Sequence, residues 1–303
     1  MFNNATLSPI VVFTYNRLGS FKKTIEALQK CYLSKESELI IFSDGAKNQE
    51  DLPKVKKIRN YIKNIKGFKK ISWHFYNNNK GLANSIIKGI NITFQSYNKV
   101  IVLEDDLLPS SNFLVYMNQA LQTYRNVNNV MSISGYTSPI SCPKGYNFDS
   151  YFTQRASSWG WATWKEKWIN IDWHVRDYKE FSKSRTKKKK FNQMGSDLSN
   201  LLDKQMSGRI NSWAIRWCYH QFKNDLYTVF PMSSKIDNIG FTDEATHTKD
   251  NSNRFKTNLD KSGKTKFNFL LTPQINKNIL KQFTKVYGLK TRIFSKLNKY
   301  LAR

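Results

Sequence analysis

Three consecutive carboxylates, Glu104-Asp105-Asp106, are the residues whose types and spacing most plainly suit chemistry. They follow Val100-Ile101-Val102-Leu103, an apolar and largely β-branched run that predicts a buried strand. Carboxylates at the carboxyl end of such a strand face the crevice where open α/β sheets bind ligands. Adjacent acids repel one another, and solvent or a cation relieves the repulsion. Hard cations such as Mg²⁺ and Mn²⁺ take oxygen ligands, typically one or two carboxylates plus substrate phosphates. The competing reading of this stretch is a solvated acidic turn.

The elements around it repeat a strand-helix alternation. Residues 9–15, 38–43 and 71–76 have the composition of buried strands. Residues 21–31, 52–65 and 82–94 carry apolar residues at helical spacing, with Ser20 as a candidate N-cap for the first helix. Such alternation predicts an α/β fold with a mainly parallel sheet flanked by helices. In a parallel sheet the strand ends share one edge. That edge would gather Thr14, Asn16 and Arg17, then Asp44-Gly45, then the three acids, with the loop Asn79-Lys80-Gly81 opening a helix beside them. No Gly-x-Gly-x-x-Gly follows the first strand and no Gly-x-x-x-x-Gly-Lys-Ser/Thr occurs, which argues against a standard dinucleotide site and a P-loop.

The segments Val11-Val12-Phe13-Thr14-Tyr15-Asn16-Arg17, Ile40-Ile41-Phe42-Ser43-Asp44-Gly45 and Val102-Leu103-Glu104-Asp105-Asp106-Leu107, in this order, resemble GT-A nucleotide-sugar glycosyltransferases. The likeness is to the branch around β-1,2-N-acetylglucosaminyltransferase I and its bacterial relatives in polysaccharide synthesis. Ser158-Trp159-Gly160-Trp161 and Asn238-Ile239-Gly240 extend it, so that it covers roughly residues 8–248. The resemblance implies a Rossmann-like GT-A domain over residues 1–262, with a nucleotide-sugar half near 8–135 and an acceptor half near 136–262. It implies a metal-dependent, inverting hexosyl- or N-acetylhexosaminyltransferase that uses a nucleotide-diphospho-sugar, UDP-linked in the first instance. Thr14, Asn16 and Arg17 would meet the donor nucleotide or its phosphates, and Asp44 its base or ribose. Asn79, Lys80 and Gly81 would close over the nucleotide, and Glu104 and Asp105 would hold the nucleotide sugar. Asp106 would bind Mn²⁺ or Mg²⁺ bridging the diphosphate, with His247, in a loop that orders over the donor, as a second contact. The segment matching the family's catalytic base is Asn211-Ser212-Trp213, which offers no competent base, so Asp243 and Glu244 become the candidates.

Residues 151–168 are crowded with aromatics. Trp164 and Trp168, one helical turn apart, suit core packing. Trp159-Gly160-Trp161 suits a sugar site, because glycine admits a close backbone approach and flanking indoles form flat walls. The basic run at residues 183–190 has the composition of a solvated loop.

The chain has 303 residues, 49 Lys and Arg against 22 Asp and Glu, and a formal charge of +27. That balance predicts attraction to polyanions: nucleic acid, anionic lipid or phosphorylated substrates. Cys31, Cys142 and Cys218 have neither metal-site nor disulfide-framework spacing, which suits a reducing compartment. The first residues lack an apolar signal core, and no apolar run reaches membrane-spanning length. From Lys261 onward there are no acids, and residues 263–303 alternate basic and apolar positions as a basic amphipathic helical tail. Such a tail suits an anionic membrane surface. The expectation is a cytoplasmic protein, peripheral at the inner face of the cell membrane, acting on a glycan or lipid-linked glycan of lipopolysaccharide or capsule. No nucleic-acid partner is expected on this reading. A nucleic-acid-binding protein or metal-dependent nuclease is the alternative, and a sugar-binding module without catalysis a third.

Overall fold

β-Branched and aromatic runs build the strands, and each of the first four is followed by a polar strand end. The computed structural model describes residues 7–240 and 253–294. The first half alternates β1 (Ile10–Thr14), α1 (Leu18–Gln29), β2 (Glu38–Ser43), α2 (Asp51–Ile62), β3 (Lys70–Phe75), α3 (Leu82–Thr93) and β4 (Lys99–Glu104). The second half contains β5 (Leu107–Pro109), α4 (Phe113–Thr123), β6 (Val130–Ser134), β7 (Ser150–Thr153), β8 (Trp161–Trp164), α5 (Lys165–Trp168), α6 (Tyr178–Lys183), α7 (Arg185–Phe191), α8 (Leu198–Met206), α9 (Trp213–Lys223), β9 (Tyr227–Pro231), β10 (Ile236–Asn238) and α10 (Lys277–Tyr287). An 8-stranded sheet runs β3-β2-β1-β4-β8-β6-β9-β7, all strands but β7 and β8 pointing one way. The α/β class and the mainly parallel sheet expected from the sequence are present.

Successive side chains of a strand face opposite sides, so strands covered on both faces are apolar throughout. Val12, Ile41 and Leu103 enter the core beneath α1, α2 and α4, while Phe13, Phe42 and Val102 enter the one beneath α3 and α9. Four indoles close the second core: Trp161 stacks on Trp168 at 5.5 Å and meets Trp217 at 4.7 Å and Trp213 at 5.1 Å.

Several local features differ from the sequence expectations. α1 begins at Leu18, because the Phe21 amide closes the first turn on the Arg17 carbonyl at 3.0 Å, so Ser20 lies inside the helix and does not cap it. The basic run forms a helix, α7: Ser184 caps it by accepting the Lys187 amide, and buried Phe191 anchors its far end. The described residues beyond 262, up to 294, do not stand apart from the domain. Phe269 and Leu270 join the core beneath α4. α10 lays Ile279 and Phe283 against Tyr151 and Phe230, so the apolar stripe of its described length is covered by this chain and not offered to a membrane.

A buried ion pair fastens the same region. Lys235 donates to Asp260, which also accepts from the Asn112 amide at 3.0 Å, and the Lys235 ammonium lies 5.0 Å from the Phe267 ring centroid. Burial alone would raise the Asp260 carboxyl, but hydrogen bonds from Lys235, Asn112 and the Ser262 amide outweigh it and hold it well below the usual carboxylate range. A carboxyl depressed in the folded state stabilises above its unfolded value of about 3.9, and that stability is lost as pH falls below it. Asp260→Asn leaves the Lys235 cation buried without a counter-charge and should destabilise the fold by about 3 kcal/mol in urea unfolding at neutral pH. The deficit should shrink as pH falls below about 4 toward the depressed folded value, because the stability that ionised Asp260 gives the wild type is lost over that window. A deficit that is the same at all pH values would contradict this account.

Candidate active site

β1, β2 and β4 are adjacent and parallel, so Thr14–Arg17, Asp44-Gly45 and Glu104–Asp106 leave the sheet at one edge. β5 carries the chain on from the acids and pairs antiparallel with β10, which brings Asn238 opposite Leu107. The Ile239 amide donates to the Asp106 carbonyl at 3.0 Å. Gly240 lies against the Asp106 side chain, where a Cβ would come within 2.8 Å of the Asp106 Cγ. This two-stranded sheet is too short to leave a sequence signature. It gives Asn238-Ile239-Gly240 a physical role: a wall for the last acid.

The three acids have different surroundings. Asp105 is buried, and its carboxylate accepts from the Thr14 hydroxyl at 3.0 Å, the Tyr15 amide at 3.3 Å and the Arg17 guanidinium. Burial raises its pKa, partly offset by Arg17. Asp105 therefore ties β1 to β4 and orients Arg17, with Thr14 engaged in the same knot. Asp106 remains partly accessible and lies 2.9 Å from the same Arg17 guanidinium nitrogen that Asp105 engages. Glu104, also partly accessible, is pushed up to about 8 by burial first, then by Asp106 and Asp105. Asp105 and Asp106, sharing the Arg17 cation, with Glu104 beside them, form the electrostatic centre of the cleft.

Asp44 has a definite local function. Its carboxylate accepts the backbone amides of Gly45 at 2.9 Å, Lys80 at 2.8 Å and Gly81 at 3.0 Å. The Asn79 side chain returns a bond to the Gly45 carbonyl at 2.8 Å. A Cβ on Gly45 would stand 2.7 Å from the Asn78 carbonyl oxygen, so only glycine lets this loop close down. Gly81 turns into α3 at φ 72°, leaving the Lys80 side chain exposed at the rim. Arg59 of α2, which no sequence pattern distinguishes from its basic neighbours, joins the two strand ends by donating to the carbonyls of Asp44 at 3.2 Å and Tyr76 at 2.6 Å. Asn16 is turned toward α2, donating to Asp51 at 2.8 Å, and Tyr15 donates to the other Asp51 oxygen. Asp44→Ala should free the 77–81 loop. Hydrogen exchange at the Lys80 and Gly81 amides should rise by at least tenfold, with a stability loss of about 2 kcal/mol; unchanged exchange would show that the carboxylate does not hold the loop.

The aromatic segment divides. Trp161 is 1% exposed within the indole cluster, so it is a core residue and not a wall for a sugar. β8 inserts between β4 and β6, and that insertion closes it off. The close approach permitted by Gly160, at φ 59°, serves Ile236, whose side chain fills the space a Cβ would take. Trp159 is half-buried, edge-on to Tyr136 at 4.5 Å and to Phe255 at 5.8 Å. Because Trp161 pairs with Val102, the Trp159-Gly160 turn lies at the Glu104 end of β4. Ser212 caps α9 through the Ile215 amide at 3.3 Å, and Asn211 accepts from Arg216 at 3.1 Å. Asp243, Glu244 and His247 lie outside the described residues.

Among the described residues no three His, Cys, Asp or Glu side chains converge into a complete metal cage. The donor set instead fits a cation shared with a ligand. Asp106 and Glu104 supply oxygen near the cleft, and a divalent ion there would relieve the repulsion from Asp106 and Asp105 that adds to burial in raising Glu104.

No protein-family profile and no curated protein matches this chain. Among solved structures it is similar to the mannosyltransferase PcManGT from Pyrobaculum calidifontis in complex with GDP-Man and Mn²⁺, at 12% identity and a TM-score of 0.35, over 53% of this chain and 45% of that one. It is also similar to S. aureus TarS, at 13% identity and a TM-score of 0.37, over 55% of this chain and 30% of that one. The chain thus matches less than half the length of either protein. Its own fold and site define a Rossmann-like α/β protein with a carboxylate-bearing cleft at its strand ends.

Proposed function

We propose that this chain is a metal-dependent glycosyltransferase of the GT-A type. It moves a hexosyl or N-acetylhexosaminyl group from a nucleotide-diphospho-sugar, UDP-linked in the first instance, to a glycan acceptor, with inversion. The observation that carries the reading is the meeting, at one sheet edge, of partly accessible Asp106 and Glu104, the Arg17 that Asp106 shares with buried Asp105, and a loop that Asp44 pins beneath exposed Lys80. UDP and inversion rest on the sequence resemblance.

In this reading Asp106, walled by Gly240, holds the divalent ion together with the donor diphosphate. A divalent ion there supplies Lewis-acid stabilisation of charge on the departing diphosphate. Arg17 and Lys80 add preorganised positive charge, Arg17 being held in place by Asp105. The Asp44-anchored loop covers the nucleotide, and Trp159 offers an aromatic face for a sugar ring. Asp243 and Glu244 remain the candidates for the base that takes the acceptor hydroxyl proton. The acceptor is a glycan or lipid-linked glycan of lipopolysaccharide or capsule synthesis, at the cytoplasmic face of the membrane. No helix among the described residues is long and apolar enough to cross a membrane.

The test is nucleoside-diphosphate release from UDP-, GDP- and dTDP-sugars with Mn²⁺ and with EDTA. The proposal expects release from one nucleotide class that EDTA abolishes and that a competent acceptor accelerates. Release from none, with or without acceptor glycans, would overturn it.

A further inference from the structure

We propose that α7 and the helical turn after α10 together form a docking face for an anionic lipid bilayer, separate from the donor cleft. Exposed Lys183, Arg185, Lys187, Lys189 and Lys190 crowd onto and beside α7, and none of them forms an ion pair among the described residues. Residues 181–196 contain no acid. The 3-10 turn Asn192–Met194 continues α7 directly into Gly195-Ser196. There the Ser196 hydroxyl donates to the Tyr287 carbonyl at 3.0 Å and accepts from Arg292 at 3.1 Å. α7 is thereby fastened to the end of α10 and to the turn that follows.

That turn is where apolar side chains are left in water. Leu289, Ile293 and Phe294 are 61%, 48% and 65% exposed, within six residues and flanked by exposed Lys290 and Lys285. The stripe of α10 itself, through Ile279 and Phe283, is already covered. The contact expected of the whole tail therefore moves to this turn and gains the α7 lysines.

The side-chain mixture selects the partner. A nucleic acid would neutralise the lysines and leave three large apolar groups in water. A bilayer with acidic headgroups takes both, the cations at the surface and the apolar groups just below it. The inference rests on the glycosyltransferase reading only for what the surface would present, a lipid-linked acceptor.

The test is co-sedimentation of the full chain with vesicles of phosphatidylcholine alone and of phosphatidylcholine mixed with phosphatidylglycerol. Wild type should bind the mixed vesicles and not the neutral ones. The triple variant Lys187→Ala, Lys189→Ala, Lys190→Ala should bind roughly 100-fold more weakly, at about fivefold per lysine. The double variant Ile293→Ser, Phe294→Ser should keep only a weak association that salt removes. Both variants should melt as wild type does and keep its thermal response to nucleotide sugars, so loss of docking and failure of the cleft reading give separate signals. Equal binding to both vesicle types, undiminished binding by both variants, or a preference for duplex DNA over mixed vesicles would overturn the proposal.

Discussion

Asp106→Ala should lower metal-dependent transfer by about a thousandfold, since a Lewis acid supplies several kcal/mol to the transition state and each 1.4 kcal/mol or so is tenfold in rate. The loss should be local. Arg17 keeps its partner in buried Asp105, which also holds Thr14 and Tyr15, so the junction of β1 and β4 survives. Removing one of three like charges also relieves Glu104. The variant should therefore fold with wild-type cooperativity and lose the component of donor affinity that depends on Mn²⁺. Steady-state turnover beside a denaturant titration checks both parts. A variant with an undiminished rate would remove Asp106 from the chemistry.

Gly240→Ala should reproduce much of that loss without removing a carboxylate. The new methyl would meet the Asp106 side chain, with Cγ 2.8 Å away, and the side-chain oxygen of Asn238 at 3.0 Å. Both neighbours are ends of short side chains that can rotate aside, so stability should change by less than about 1.5 kcal/mol. The displaced Asp106 carboxylate cannot keep its position, and displacements near 1 Å typically lower rates about 100-fold. Metal titration of donor binding should show a weakened Mn²⁺ dependence in this variant. An alanine variant with wild-type metal dependence would show that the β5–β10 wall does not position Asp106.

The first hundred residues were legible because strands covered on both faces are continuous apolar runs and the helices between them carry a single apolar stripe. The strand-end motifs followed from that alternation. What escaped was set by neighbours distant in sequence. β5 and β10 are three-residue strands that exist through each other. Trp161 and Trp159 share a motif, and only the insertion of β8 beside β4 sends one indole into the core and leaves the other near the cleft. The sequence offered Asp44 only as a donor contact, and nothing in it shows that its carboxylate anchors a loop more than thirty residues away. The basic run gave no helical stripe, since Phe191 alone anchors it. The amphipathic pattern of the tail was visible, but a stripe does not name what covers it, and here the domain itself covers the larger part.

In the proposed function the cleft binds a nucleotide-diphospho-sugar through a divalent ion at Asp106. Thermal unfolding of the chain with UDP-, GDP-, CMP- and dTDP-sugars, each with Mn²⁺ and with EDTA, tests it most directly, because a ligand that binds the folded state raises its stability by mass action. The midpoint should rise with one nucleotide class, and EDTA and Asp106→Ala should each abolish that rise. A midpoint unmoved by every donor in the presence of Mn²⁺ would contradict it.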